Sequence, residues 1–153
     1  MSRYAVGVKR LILLALSLVL GSCGSTKPGA PEVLHTGFDK LRATAQANIA
    51  DSERRDTYLR LAVNMQVELL AFEKYAAGYV EEYRRAFTDH ATDAEALRQL
   101  TSEFRARQRK TQDRFVELHL AMADSVTEQE WPALSKQETA MVEQLLKAAQ
   151  GGR

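Results

Sequence analysis

The 153-residue sequence contains few of the residues that cross-links and tight turns require: one cysteine, three prolines and eight glycines. A single cysteine excludes a disulfide within the chain, so the stability of the fold has to come from packing. The scarcity of glycine and proline argues against a β-sandwich or barrel, whose many turns use both residues. Long stretches of Ala, Leu, Glu, Arg and Gln favour helix instead. We therefore expect one all-α domain in a chain of this length.

The sequence also lacks a strong excess of either charge, with 21 Lys and Arg against 20 Asp and Glu and a formal net charge of +1. Residues 1–22 hold three of the basic residues, Arg3, Lys9 and Arg10, and no acidic one. Without them the balance is 18 basic against 20 acidic residues, a net charge of −2. A charge this small excludes a general attraction to nucleic acid or to anionic membrane surfaces, so no nucleic-acid partner is expected.

The N-terminal residues have the layout of a secretory signal. Arg3, Lys9 and Arg10 precede an apolar run over residues 11–20, and small residues follow that run. This order of charged, apolar and small residues is typical of secretory signals. The run has about half of the ~20 residues that a membrane-spanning helix needs. The pattern therefore predicts a removable signal peptide over residues 1–22.

The segment Leu20-Gly21-Ser22-Cys23 resembles the lipobox of bacterial lipoproteins, in which a branched aliphatic and two small residues precede a cysteine. The resemblance implies cleavage after Ser22, a diacylglycerol on the thiol of Cys23 and acylation of the new amine. Each buried methylene would contribute ~0.8 kcal/mol to the membrane anchor. Gly24, where inner-membrane lipoproteins usually have aspartate, favours the outer membrane and a periplasmic domain. An ordinary secreted protein with an incidental cysteine is the alternative.

Residues 23–35, rich in Gly, Ser and Pro, are predicted to form a flexible tether, and residues 36–150 a helical domain. Apolar residues recur at alternating spacings of four and three along residues 51–89, which is the heptad pattern of helices that wind around each other. We expect residues 36–50 to continue into this helix, because no Gly or Pro separates the two, although a separate short helix is the alternative. The seam consists of Tyr58, Ala62, Met65, Leu69, Phe72, Ala76, Tyr79, Tyr83 and Ala86.

Two capping-box patterns predict the starts of further helices. Thr92-Asp93-Ala94-Glu95 opens a second long helix that extends to about Asp124, and Thr127-Glu128-Gln129-Glu130 opens the last one. Pro132 lies one turn inside that last helix, so either its first turn is distorted or the regular helix begins at Pro132. A short link between two long amphipathic helices makes them antiparallel. The predicted fold is therefore all-α, a long antiparallel helical hairpin with one or two additional helices and coiled-coil-like packing.

No pattern in the sequence indicates catalysis. The three histidines, His35, His90 and His119, lie in separate segments and form no His-x-x-x-His pair, so we expect solvated or hydrogen-bonded histidines and no metal. Neither a Gly-x-Ser-x-Gly elbow nor a phosphate-binding glycine loop is present. Once Cys23 carries lipid, no cysteine nucleophile remains. The expectation is a protein that is not an enzyme and has no cofactor.

Two groups of residues are candidates for a protein-binding surface: Tyr75, Tyr79 and Tyr83 on the first long helix, and Arg105, Arg107 and Arg109 on the second. The tyrosines are expected to pack half-buried, with an aromatic strip for protein clients as the alternative. The arginines form a basic belt with Lys110 and Arg114. We expect the belt to pair with acidic residues of the opposing helix, or else to bind an acidic client. Those acidic residues are Glu68, Glu73, Glu81 and Glu82. Gly78, among the tyrosines, indicates either the close approach of another helix or simple tolerance.

The segment Val126-Thr127-Glu128-Gln129-Glu130-Trp131 resembles the Leu-Thr-x-x-Gln signature of the Spy/CpxP-type periplasmic stress proteins, and Leu100-Thr101-Ser102-Glu103-Phe104 resembles it more faintly. The chain departs from the signature at Val126 and Glu130. The resemblance implies an ATP-independent, chaperone-like or stress-sensing protein that binds unfolded or envelope proteins. The first hypothesis is therefore a lipid-anchored periplasmic protein that binds other envelope proteins. The alternatives are a structural component that self-associates, for example as a homodimer, and a metal-responsive sensor.

Overall fold

The computed structural model describes residues 30–89 and 92–150, and these form four helices and no strand. The helices are α1 (Ala30–Asn48), α2 (Ser52–Thr88), α3 (Ala94–Asp124) and α4 (Trp131–Gln150). The all-α expectation is therefore confirmed. Several predictions concern residues outside the described part of the chain: the signal peptide, residues 23–29 of the tether with Cys23, and His90. Residues 30–35, which the sequence analysis assigns to the tether, are the first part of α1.

The expected continuity of residues 36–50 with the following helix is wrong, because α1 ends at Asn48 and α2 begins at Ser52. Asp51 takes an extended conformation, and its carboxylate accepts a hydrogen bond of 2.8 Å from the backbone N–H of Arg54. Ile49 is buried in the core beside this cap, and its carbonyl accepts a hydrogen bond from the Arg55 guanidinium. An N-cap aspartate and a buried isoleucine thus end one helix and start the next without Gly or Pro.

The two later helix starts differ in how well the sequence predicts them. The N-cap of α3 is Asp93 and not Thr92: its carboxylate accepts from the Ala96 N–H at 2.8 Å. The capping box before α4 is confirmed, since the Thr127 N–H donates to Glu130 at 2.8 Å and the Glu130 N–H donates to the Thr127 hydroxyl at 3.3 Å. Residues 128–130 form a turn, and the regular helix begins at Trp131, one residue before Pro132.

Side chains from all four helices form the main hydrophobic core. α1 packs against α4 and against the first half of α2, while α2 packs against α3. We call this part of the molecule the base: α1, residues 52–66 of α2, residues 111–124 of α3, and α4. Burial of each large apolar side chain stabilises the base by roughly 1.5–3 kcal/mol. The largest fully buried apolar side chains in and beside the base are Phe38, Leu41, Ile49, Tyr58, Met65, Met122 and Leu134.

Gly37 lies where α1 approaches α4 most closely, and a methyl group added there would overlap the side chain of Met141. A larger residue would therefore push the two helices apart. Gly78 is different, because nothing lies within 4 Å of the position that a Cβ would take. The prediction of a close helix approach at Gly78 is wrong, and the glycine is simply tolerated.

Residues 67–88 of α2 and 94–110 of α3 extend beyond the base, and we call them the arm. Here α2 packs mainly against α3, although Leu69 and Leu70 at the start of the arm also pack against the main core. A second, small cluster of buried residues holds the arm together: Phe72, Ala76 and Phe104, with Leu69 and Tyr79 packed against them. The arm is therefore a two-helix structure with a thin core.

Candidate protein-binding surface

The tyrosines predicted as a candidate surface are assembled around Phe104 of α3. The ring of Tyr79 stacks on Phe104 with centroids 4.2 Å apart, and Tyr75 lies nearly parallel to it, with centroids 6.1 Å apart and an interplanar angle of 7°. Phe72 contacts the same ring at 6.0 Å. Offset stacked rings at these separations stabilise each other beyond the area they bury. Phe104 is thus the platform that holds the tyrosines of α2 in place.

From Phe104 the contacts continue along α2 towards the end of the arm. Tyr79 contacts Tyr83 at 5.8 Å, and Tyr83 stacks with Phe87 at 6.2 Å and 13°. The far end is open to solvent, since Phe87 is 70% exposed and Val80, two helical turns before it, is 39% exposed. Tyr79 and Tyr83 are half-buried as expected, whereas Tyr75 is 37% exposed. We call these rings the aromatic strip: Phe72, Tyr75, Tyr79, Tyr83, Phe87 and Phe104.

Three members of the strip, Phe72, Phe87 and Phe104, were not among the predicted surface residues, although Phe72 belongs to the predicted heptad seam. Phe87 follows Tyr83 by four residues, so the same spacing that selects the tyrosines could have found it. In the sequence analysis Phe104 appears only as the end of the segment Leu100-Thr101-Ser102-Glu103-Phe104. Its contacts with three rings depend on how α2 and α3 are aligned, which spacing along one helix does not specify.

The basic belt does not pair with the opposing helix as expected. Among the described residues, no carboxylate is within ion-pairing distance of Arg105, Arg107, Arg109 or Lys110, and Glu68, Glu73 and Glu82 form no ion pair either. The ion pairs in this part of the molecule are formed within single helices, at a spacing of three residues. Glu81 pairs with Arg84 at 2.8 Å and Arg114 with Glu117 at 3.0 Å. The hydrogen bond from Arg84 lowers the pKa of Glu81 below its usual value.

The base contains a buried polar network that the sequence analysis did not identify. The carboxylate of Glu138 on α4 accepts a hydrogen bond of 3.2 Å from the Tyr58 hydroxyl on α2 and lies 3.0 Å from Nδ1 of His119 on α3. The edge of the His119 ring contacts Trp131. Burial, followed by the charge of Glu138, raises the pKa of Tyr58 well above its usual value. One carboxylate therefore connects three helices, and His119 is the hydrogen-bonded histidine that was expected.

A second set of polar contacts links the beginnings of α2 and α4. The Arg54 guanidinium donates two hydrogen bonds to the carboxylate of Glu130, at 2.7 and 3.2 Å. The pKa of Glu130 is lowered, first by the hydrogen bond from the Thr127 backbone N–H and then by the Thr127 hydroxyl and Arg54. Bidentate pairing of this kind fixes orientation as well as distance. Glu130 thus serves both as part of the helix cap and as a tie between helices.

The junction of base and arm lies beside the beginning of α1. Gln66 of α2 is within 3.1 Å of Nδ1 of His35 and accepts a hydrogen bond of 2.8 Å from Arg42. The start of α1, and with it the point where the predicted tether joins the domain, is therefore close to the place where the arm leaves the base.

Within the described residues, no group of three or more His, Cys, Asp and Glu side chains is arranged to hold a metal ion. Glu32 and His35 have the Glu-x-x-His spacing seen in some helical metal sites, but no third ligand joins them. In the same part of the chain, no helix has the length and apolar character needed to span a bilayer.

The described surface therefore includes an aromatic strip that is buried at one end and exposed at the other, and arginines of α3 that have no ion-pair partner among the described residues. In comparison with known proteins, no family model matches the chain, and no curated protein or solved structure is significantly similar to it.

Proposed function

We propose that the chain is a lipid-anchored periplasmic protein whose arm binds other proteins in a chaperone-like manner, without a chemical step. The observation that carries this proposal is the exposed end of the aromatic strip. Phe87 is 70% exposed and adjoins the stacked ring of Tyr83, and Val80 is 39% exposed. Contiguous exposed apolar groups mark protein-interaction sites on soluble domains. Aromatic rings are also enriched in such sites because they contribute a large contact area at low entropic cost.

We further infer that α2 and α3 form an antiparallel hairpin with coiled-coil-like packing. They pack side by side and are joined only by residues 89–93, so the chain has to reverse direction between them. In such a pair, a local twofold axis relates the two helices. Two residues that lie the same number of positions after the inward-facing residue of their own helix are therefore on the same broad side of the hairpin. Phe72 and Phe104 provide the inward-facing references. The arm thus has two broad sides, and the candidate residues can be assigned to them.

One of these sides, which we call the client side, carries Val80 and Phe87. These residues are eight and fifteen positions after Phe72, which is one position more than one and two heptads. Both therefore lie next to the heptad position that Phe72 occupies. Arg105 is at the same offset from Phe104, and Arg109 follows it by one helical turn. Apolar side chains on α2 and unpaired cations on α3 therefore face the same way.

A client segment in extended form would lie along the client side. Its apolar side chains would contact Phe87 and Val80, and its carboxylates or carbonyl oxygens would bind Arg105 and Arg109. Because these arginines have no carboxylate partner in the described residues, binding a client would not break an existing ion pair. Affinity from such a small surface is modest, and release therefore needs no nucleotide. The resemblance to periplasmic stress proteins, noted above, supports the same reading.

The lipid anchor completes the proposal. Cys23 precedes α1 by seven residues, and α1 begins close to the point where the arm leaves the base. A chain of seven residues spans at most roughly 25 Å when fully extended. The junction of base and arm would therefore stay close to the membrane surface.

The anchor is tested by the mass of the chain isolated from membranes and by the substitution Cys23→Ser. We expect the native chain to carry acyl groups on Cys23 and to begin at that residue. The Cys23→Ser chain should lack them and no longer sediment with the membrane fraction. An unmodified thiol on the native chain would contradict the anchor.

Client binding is tested by light scattering from a denatured protein that aggregates on dilution, with and without a chain of residues 24–153. We expect suppression at stoichiometric amounts and its loss in the double variant Val80→Ser and Phe87→Ser. The matched control is the double variant Val63→Ser and Leu120→Ser, which removes two exposed apolar residues of the base. Absence of suppression by the native chain, or equal loss in the control, would favour a purely structural role.

A further inference from the structure

We propose that two copies of this chain pair through the broad side of the arm opposite the client side. On α2 that side carries Glu68, Tyr75 and Glu82, which are spaced by seven residues. On α3 it carries Arg107 and, three residues later, Lys110. The two stripes share a side because Tyr75 follows Phe72 by three residues, as Arg107 follows Phe104. This assignment depends on the antiparallel pairing inferred above, and we call this side the pairing side.

The charges on the pairing side have no ion-pair partner among residues 30–89 and 92–150. Glu68 and Glu82 form no ion pair with any described residue, and neither does Arg107 or Lys110. The acidic and basic stripes are nevertheless carried by neighbouring helices. Their charges are therefore of opposite sign and available, yet they do not meet inside the monomer.

A second copy of the chain satisfies both stripes at once. If a twofold axis runs along the arm between two facing hairpins, α2 of each copy lies over α3 of the other. Glu68 of one copy then faces the Arg107 and Lys110 region of its partner, and the same contact recurs on the other side of the axis. Such a self-complementary patch is what a symmetric dimer requires. An acidic client would be repelled by Glu68 and Glu82, and a basic one by Arg107 and Lys110.

Tyr75 lies midway between the two glutamates of the acidic stripe. It is 37% exposed, and its ring is held nearly parallel to that of Phe104. A tyrosine face fixed in this way can receive a guanidinium of the second copy as a cation–π contact. The pairing side thus combines a central ring and an acidic stripe on α2 with a basic stripe on α3.

Pairing would also complete the packing that the arm lacks. The base buries its core between four helices, whereas the arm has two helices and only three buried residues. Two facing arms would form a four-helix bundle over this length. The net charge of −2 after signal removal gives little repulsion between copies. Because the client side remains free, the dimer would present two client-binding sides facing away from each other.

The proposal is tested by co-purification of two differently tagged full-length chains from detergent-solubilised membranes. One double variant reverses the basic stripe, Arg107→Glu with Lys110→Glu, and another reverses the acidic stripe, Glu68→Lys with Glu82→Lys. We expect the native pair to co-purify and each variant to co-purify with itself about tenfold less, which corresponds to about 1.4 kcal/mol. Mixing the two variants should restore co-purification, because opposite charges then face each other. Restoration also shows that both variants are folded.

The matched control reverses two exposed lysines of α4, Lys136→Glu with Lys147→Glu, and should leave co-purification unchanged. The proposal is overturned if the native chains do not co-purify, if mixing fails to restore pairing, or if the control loses pairing to the same extent. Client binding is measured separately through Val80 and Phe87. A monomeric chain that still suppresses aggregation would therefore remove the dimer and leave the proposed function intact.

Discussion

The long helices α2 and α3 run through both the base and the arm, yet their apolar pattern is buried in the base and partly exposed in the arm. In the base, α1 and α4 cover α2 and α3, and side chains such as Tyr58, Met65 and Met122 are fully buried. In the arm, the pattern continues through Tyr79, Tyr83 and Phe87, but α3 is the main neighbour of α2, so Tyr79 and Tyr83 are only half-buried and Phe87 is exposed. The comparison teaches that a heptad seam predicts where apolar side chains point. The number of neighbouring helices decides whether they form a core or a binding surface.

The two regions also use polar groups differently. The base satisfies its buried polar groups within the molecule, with Glu138 bound to Tyr58 and His119. The arm leaves the cations Arg105 and Arg107 without an ion-pair partner among the described residues. Buried polar groups have to be paired because desolvation is costly, whereas exposed charges can remain available for a partner. Buried packing is therefore concentrated in the base, and the groups proposed for recognition lie in the arm.

The largest expected difference comes from removing one phenylalanine from each region. Phe38→Ala deletes a side chain with no exposed surface in the base and should lower the free energy of unfolding by about 3–5 kcal/mol. Phe87→Ala deletes a ring that is 70% exposed and should change it by less than about 0.5 kcal/mol. Urea unfolding followed by circular dichroism measures both. Similar losses for the two variants would mean that the arm contains a real core at Phe87.

The two glycines provide the next comparison. Gly37→Ala places a methyl group against Met141 and should destabilise the chain by about 1–3 kcal/mol, because α1 and α4 have to move apart. Gly78→Ala meets open space and should stabilise the arm by up to about 1 kcal/mol, because alanine is the better helix former. Thermal unfolding of both variants gives the sign of each change. A stabilising Gly37→Ala would contradict the close packing of α1 on α4.

Tyr58 gives the base a dependence on alkaline pH. Its pKa is raised in the folded state, so above about pH 10 the unfolded chain releases a proton that the folded chain keeps. Stability is then fully present below that pH and falls by about 1.4 kcal/mol per pH unit above it. Tyr58→Phe should cost about 1 kcal/mol at neutral pH, for the lost hydrogen bond to Glu138. The same variant should have a shallower alkaline slope, as measured by urea unfolding at several pH values. Equal slopes in the two chains would show that Tyr58 ionises freely in the folded state.

The smallest expected effects concern the two aspartate caps. Asp51 in the base and Asp93 in the arm each accept a hydrogen bond of 2.8 Å from the third helical N–H, and replacing either by alanine removes about 1 kcal/mol of local stability. We expect Asp51→Ala to lower the midpoint of global unfolding. Asp93→Ala should mainly speed hydrogen exchange in the first turn of α3, because the thinly packed arm opens before the base. Equal midpoint shifts would mean that base and arm unfold as one unit.

Much of the fold follows from local patterns. The heptad seam of residues 51–89 closely matches α2, the second long helix ends at Asp124 as expected, and the reciprocal cap of Thr127 and Glu130 forms as predicted. These features depend on residues within one or two turns of each other. The aromatic spacing of Tyr75, Tyr79 and Tyr83 also located the candidate surface, although it missed the exposed end at Phe87.

The features that the sequence did not predict share a physical cause. The break between α1 and α2 depends on Ile49 being buried against other helices. The absence of ion pairs between the basic belt and α2 depends on how α3 is rotated against α2. The link from Glu138 to Tyr58 and His119 joins residues on three helices. None of these relations is expressed in a spacing along the chain.

By itself, then, the sequence determined the helical class, the ends of most helices and the stripe of tyrosines, because helix propensity, capping and periodicity act over a few neighbouring residues. The tertiary structure decided which part of that stripe is covered, which charges find partners and which carboxylate ties three helices together. Those outcomes depend on the number, spacing and rotation of neighbouring helices, which are set only when distant segments pack against one another.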